Sequence, residues 1–286
     1  MPLQLYTIEG LNSLAFAMLL FLLASGFSLI FGVGRIANLA HGSMYMLGGY
    51  LGFSVAQHSG SFWLALLVAP VAGALFGIVV ERLLLRRLYG RELDQVLLTV
   101  GLAFVLADVT RWIWGADIRA LPAPPALSGL VSVLGVLYPK YHLFIIALGV
   151  VLFVVVLLAM RTPWGAKMRA VTSDPRIAAS LGVPTGTVNA LTFAAATALA
   201  AFGGAAGAPI VALAPGLDLT MMLLALIVVV VGGLGSITGA FVGAIIVALV
   251  DGFGRLFFPE SASFLIFALM ALVLSFRPQG LLGRAG

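Results

Sequence analysis

The chain has no cysteine, only three histidines, and few charges: Asp, Glu, Lys and Arg make up 9% of its 286 residues. Without cysteine there is no disulfide, no thiolate nucleophile and no cysteine-ligated metal. His41, His58 and His142 fall in separate segments without metal-ligand spacing, so no metal site is expected. No G-x-x-x-x-G-K-[ST] run is present to cradle a nucleotide phosphate. H-E-x-x-H, G-x-S-x-G with a plausible triad, and G-x-G-x-x-G followed by a suitable acid are missing as well. These absences argue against an enzyme and against a bound cofactor. The charged fraction lies far below the roughly 25% of soluble domains.

What is present is apolar, with 62% hydrophobic residues in long continuous runs. The runs predict segments at 11–32, 37–56, 62–80, 95–115, 142–160, 188–213, 219–231, 237–250 and 262–276. They are continuous, not alternating, which excludes a membrane barrel. The reading is an all-α polytopic helical membrane protein with about eight or nine membrane segments, some short or broken. It forms one membrane domain over residues 1–286. The start of the chain lacks the basic region of a cleavable signal peptide, so the first span is expected to insert and stay.

A net charge of +5 could point to nucleic acid in a soluble protein, but here the basic residues gather in particular loops. With the N-terminus outside, eleven Lys and Arg lie on the inner side: Arg35, Arg82, Arg86, Arg87, Arg91, Arg161, Lys167, Arg169, Arg176, Arg277 and Arg284. Four lie outside: Arg111, Arg119, Lys140 and Arg255. The positive-inside rule therefore places the N-terminus outside and the C-terminus in the cytoplasm. Residues 116–141, poor in Lys and Arg and rich in proline, read as an ordered external loop.

Residues 26–50 are the most informative stretch. They sit in an apolar run, yet carry Arg35, Asn38, His41, Ser43 and Tyr45 among glycines at 26, 32, 34, 42, 48 and 49. Polar groups at membrane depth are costly unless they face protein or water. Asn38, His41, Ser43 and Tyr45 are candidates for a translocation pathway, and interhelical hydrogen bonding is the competing role for Asn38 and His41. Arg35 is expected at the cytoplasmic interface. Asp108 with Arg111, and Asp251 with Arg255, are spaced to pair along a helix.

Residues 219–250 are too long for one span, since 32 helical residues would reach about 48 Å against a core near 30 Å. A break at Gly232, Gly233, Gly235 and Gly239 makes two short helices meeting in a glycine turn. Gly203-x-x-x-Gly207 and Gly239-x-x-x-Gly243 permit close helix approach, within the chain or at a partner. In residues 164–182, Asp174 is placed to cap a short helix, Pro175 to start it and Gly182 to stop it.

Taken in order, these stretches resemble the LivH-type permeases, membrane subunits of ABC importers for branched-chain amino acids. The resemblance runs through GFSLIFGVGRIANLAHGSMYMLGGYLG (26–52), LLTVGLAFVLADVTRWIWGAD (97–117), MRAVTSDPRIAASLGV (168–183), ALIVVVVGGLGSITGAFVGAIIVALVDG (225–252) and FRPQGLLG (276–283). It implies a non-catalytic subunit forming half of a translocation pathway. A homologous LivM-type permease, two cytoplasmic ATP-binding subunits and a periplasmic substrate-binding protein would be its partners in the bacterial inner membrane, with the lipid bilayer around it and no nucleic acid. Asp174, Arg176, Gly182, Gly232, Gly233, Gly235 and Gly239 are the residues implied in coupling to the motor subunits. Where the family commonly reads Asp-Pro-Glu-Ala-Ala-Arg, this chain has Asp174, Pro175, Arg176, Ile177, Ala178 and Ala179, so an ion pair to the motor subunit through that glutamate or arginine has no counterpart here. Open alternatives are urea, amide, aromatic-acid or sugar cargo, a stand-alone secondary transporter, and an apolar tunnel whose selectivity resides in the binding protein.

Overall fold

The computed structural model describes residues 2–34 and 38–283. The order is α1 (Pro2–Gly34), α2 (His41–Ser59), α3 (Phe62–Leu83), α4 (Glu92–Trp114), β1 (Leu130–Val133), β2 (Val136–Pro139), α5 (Lys140–Arg161), α6 (Pro163–Ser173), α7 (Pro175–Ser180), α8 (Thr185–Gly207), α9 (Leu217–Gly232), α10 (Ile237–Phe257) and α11 (Ala262–Phe276). Among the described residues, seven segments are long and apolar enough to cross a membrane: Leu3–Phe31 within α1, α3, α4, α5, α8, α10, and Pro259–Phe276. The remaining two expected segments correspond to α2 and to α9, whose 16 residues span only about 24 Å. The chain is a polytopic helical membrane protein.

Helix ends follow local chemistry. Ser61 accepts from the Leu64 N–H at the start of α3, and Ser236 from the Gly239 N–H at 3.0 Å at the start of α10. Asp174 caps α7, accepting from the Arg176 and Ile177 N–H groups at 2.8 and 3.0 Å. Gly182, at φ +79°, ends the segment in the left-handed conformation that glycine tolerates.

α1 and α8 form the centre. Their spanning windows are 83% and 72% buried, against 17% for α4 and α5, which lie at the periphery. α8 packs on α3, α2 and α1, and α1 on α10, α5 and α9. Small residues set these crossings. A Cβ on Gly48 would overlap the Ala201 backbone, and one on Gly204 the Tyr45 carbonyl oxygen. Gly73 and Gly77 of α3 lie equally close against Ala201 and Thr197. In lipid, where burial of apolar surface gives helices little reason to associate, such close approach supplies the packing. Gly203-x-x-x-Gly207 and Gly239-x-x-x-Gly243 therefore serve contacts inside the chain: the first against Leu22 and Tyr45, the second against Gly232 and Val228.

The structure departs from the sequence reading in three places. The span expected over 188–213 ends as a helix at Gly207. Pro209 and Pro215 follow, neither with an N–H to continue a helix, and Leu213 instead exchanges two 2.8 Å backbone hydrogen bonds with Arg119. The loop at 116–141 contains the antiparallel hairpin β1–β2, pinned to α1 by the Tyr138 hydroxyl donating to Asn12 Oδ1 at 3.0 Å. Burial and nearby Glu9 push the Tyr138 phenol above its ordinary pKa. Among the described residues no ion pair joins Asp108 to Arg111; both side chains are exposed on α4. Asp251 and Arg255 do pair, through Nε–Oδ1 at 3.0 Å and Nη2–Oδ2 at 2.7 Å.

Candidate functional site

The break between α1 and α2 brings the expected pathway residues into the centre of the bundle. Arg35 lies outside the described residues. Asn38 is fully buried, and its Oδ1 accepts from the Ala40 N–H at 3.1 Å, folding the turn that starts α2. The Leu39 N–H donates to Thr99 Oγ1 at 3.2 Å, tying the turn to α4. His41, also fully buried, places Nε2 3.1 Å from the Leu23 carbonyl oxygen of α1. A carbonyl only accepts, so Nε2 carries the proton and Nδ1 is an acceptor, one with no partner. Gly26 makes room for this ring: a Cβ there would lie 2.9 Å from Nε2 and 2.6 Å from the Ala196 carbonyl oxygen.

Ser43 donates to Asp218 Oδ2 at 3.1 Å. Ser43 lies in the first turn of α2, and Asp218 in the first turn of α9. A Cβ on neighbouring Gly42 would overlap the Asp218 carbonyl. Two helix N-termini thus meet inside the protein around a carboxylate, the sign of charge that helix N-termini favour. That carboxylate is the chain's own. Tyr45 is 1% exposed, packs on Gly203, Gly204 and Gly207, and leaves its hydroxyl unpartnered. His41, Ser43 and Tyr45 therefore gather where α1, α2, α8 and α9 meet, Asn38 sits in the turn before α2 that is tied to α4, and each of the four is buried within the chain.

The expected coupling residues gather at one end of the bundle. α1 runs antiparallel to α8, with Gly26 beside Ala196 and Leu19 beside Gly207. It also runs antiparallel to α10, with Phe21 against Phe241 and Tyr6 against Phe257. The starts of α8 and α10 therefore both lie toward the C-terminal end of α1. The first follows Asp174, Arg176 and Gly182; the second follows the glycine turn. In that turn Gly233 and Gly235 take φ +108° and +75°, and Gly232 and Gly239 stack backbone on backbone. The chain end then folds back over it. The Leu281 and Leu282 N–H groups donate to the Val231 and Gly232 carbonyls at 2.8 and 2.9 Å. Gly280 and Gly283 press on Gly233 with no space for a side chain. Turn and tail are one unit.

A family model described as "Branched-chain amino acid transport system / permease component" matches residues 10–274. The chain belongs to this family. Among curated relatives of this permease, the high-affinity branched-chain amino acid transport system permease protein BraD of Pseudomonas aeruginosa is 29% identical, covering 98% of this chain and 96% of its own length. The corresponding proteins named LivH from Salmonella typhimurium and Escherichia coli K12 are each 28% identical over 92% of this chain and 91% of theirs. No solved structure matches.

Three features of the permease were not visible in the sequence. Asp218 looks like an ordinary first-turn acid until α9 folds against α2, 175 residues from Ser43. The tail carries a legible Gly-Leu-Leu-Gly pattern, but nothing in it names the turn as its seat. A largely apolar cavity carrying a few polar side chains, between the first half of α1 and the last turns of α10, draws on residues far apart in the chain. The one local signal for it was the Asp251–Arg255 spacing.

Proposed function

We propose that the chain is one of two permease subunits in an ATP-driven importer of the bacterial inner membrane. The match of the permease-component family across residues 10–274 carries this reading. Its cargo is a branched-chain amino acid or a related small carboxylate, in line with the names of BraD and LivH. A LivM-type permease is its partner, two ATP-binding subunits sit beneath, and a periplasmic binding protein delivers cargo. The eleven-to-four distribution of basic residues supports an external N-terminus and a cytoplasmic C-terminus.

In this reading the cytoplasmic end presents α6–α7 and the unit of turn and tail to the motor subunits. Ile177 and Leu181 are 60% and 77% exposed on and just after α7, apolar side chains suited to a protein surface. ATP binding moves these contacts, and the motion is passed through α9 to Asp218 and Ser43. Since Asn38, His41, Ser43 and Tyr45 are enclosed, they line the pathway only when α2 and α9 separate.

The test is reconstitution of the four kinds of subunit in proteoliposomes. Leucine uptake is expected only with ATP, the ATP-binding subunits and the binding protein together. Gradient-driven uptake by this chain alone would overturn the importer reading. ATP-driven uptake of urea or a sugar in place of leucine would keep the permease and replace its cargo.

A further inference from the structure

The cavity at the N-terminal end of α1 measures about 540 Å³, within the roughly 300–1,000 Å³ range of small-molecule sites. One wall carries Glu9, Asn12 and Ser13 of α1; the facing wall carries Asp251 and Arg255 of α10. Leu217, Met221 and Leu224 of α9 supply an apolar side.

The polar groups are not all spent on one another. Ser13 is 3% exposed, and its hydroxyl has no partner. Glu9 forms no ion pair among the described residues. Gly252 brings the two walls together: a Cβ there would overlap the Ser13 hydroxyl and lie 2.7 Å from Glu9 Oε1. Arg255 uses Nε and Nη2 on Asp251, which leaves Nη1 outside that pair. Two acids against one guanidinium give the cavity an excess of negative charge, which favours an ammonium group. The guanidinium donors that remain suit a carboxylate. The α9 side suits a short aliphatic chain.

We propose that this cavity is the outer acceptor site of the permease and takes an α-amino acid with an aliphatic side chain. Glu9 and Ser13 receive its ammonium, Arg255 its carboxylate, and Leu217, Met221 and Leu224 its side chain. The proposal rests on the transport reading above and adds the residues that would meet the cargo first.

The absence of cysteine allows a direct test. In the assembled importer, Thr220→Cys puts one thiol of this chain on the cavity wall, and a membrane-impermeant maleimide added outside reports access to it. L-leucine is expected to slow labelling of this chain. 4-Methylpentanoate, which lacks the ammonium, is expected not to, and 3-methylbutan-1-amine to do so only at higher concentration. Adding Glu9→Gln should raise the half-protecting leucine concentration about tenfold, the loss of one charge-assisted contact. Ser13→Ala, a smaller change that keeps the packing, should raise it about threefold. Labelling indifferent to leucine in a complex that imports leucine would overturn the site while leaving the transport reading standing. Absence of labelling in such a complex would mean that a partner subunit covers the cavity, which also overturns it. A complex that imports another cargo but no leucine would sink the site together with the amino-acid cargo it rests on, while the permease reading would stand.

Discussion

Gly204 shows how strictly single atoms set this bundle. Its missing side chain lets the Tyr45 carbonyl and Gly49 backbone of α2 lie directly on α8. Gly204→Val therefore has to push two helices apart, an overpacking that costs about 1–3 kcal/mol where it is tolerated at all. The expected outcome is a markedly lower melting temperature of the purified complex, or its loss. Gly101→Ala is the control, since a Cβ there meets nothing within 4 Å; equal effects from the two would refute the packing argument. At Ser43 the stake is a buried carboxylate. Ser43→Ala removes a donor from Asp218, itself 8% exposed, at a cost of about 1–3 kcal/mol, read as a drop in melting temperature and in leucine uptake. An unchanged melt would show that Asp218 is satisfied without Ser43. The sequence could name Ser43 as out of place in lipid, because its type is visible there. Its partner was not legible, because a contact between α2 and α9 exists only once the helices have packed.

Helices, by contrast, were largely legible as elements. Long apolar runs bounded by charge marked the spans, and the length of residues 219–250, too great for one span, forced the break between α9 and α10 at the glycines where it occurs. Asp174 caps α7 as its place in the sequence suggested, whereas the cap of α10 by Ser236 emerged only in the structure. The hairpin β1–β2 escaped notice because two strands of four residues carry too little periodicity. The backward fold of the tail escaped because backbone hydrogen bonds leave no mark on residue type. That fold sharpens what the glycine turn is for. Gly235, at φ +75°, cannot take a branched side chain without strain, and Gly239 has no space for one. Gly235→Val and Gly239→Val are each expected to keep ATP hydrolysis in the assembled importer while lowering leucine uptake about tenfold or more, through a turn that no longer holds its shape. Wild-type ratios of uptake to hydrolysis in both variants would remove the turn from the coupling route.

On the scale of the whole molecule, the antiparallel packing of α1 with α8 and α10 puts the turn and tail and the start of α8 at one end, and the Tyr138–Asn12 bond puts the β1–β2 hairpin at the other, so one labelling experiment orients both ends. In the proposed orientation, the end with the β1–β2 hairpin lies outside and the end with α6 and α7 in the cytoplasm, in line with the charge distribution. The peripheral faces of α4 and α5, with exposed Phe104, Trp112, Val150 and Val154, then run between those ends through lipid or against a second permease. Ser128 lies exposed before the hairpin, and Lys167 exposed on α6. In the cysteine-free chain, Ser128→Cys is expected to react with an impermeant maleimide on intact spheroplasts, and Lys167→Cys only after the membrane is opened. The reverse pattern would invert the molecule: the unit of turn and tail would then face away from any cytoplasmic motor, and the Glu9–Arg255 cavity would open toward the cytoplasm. Labelling of both sites in intact cells would break the alternation itself, and with it the assignment of α2 and the short α9 as the segments that complete the crossing count.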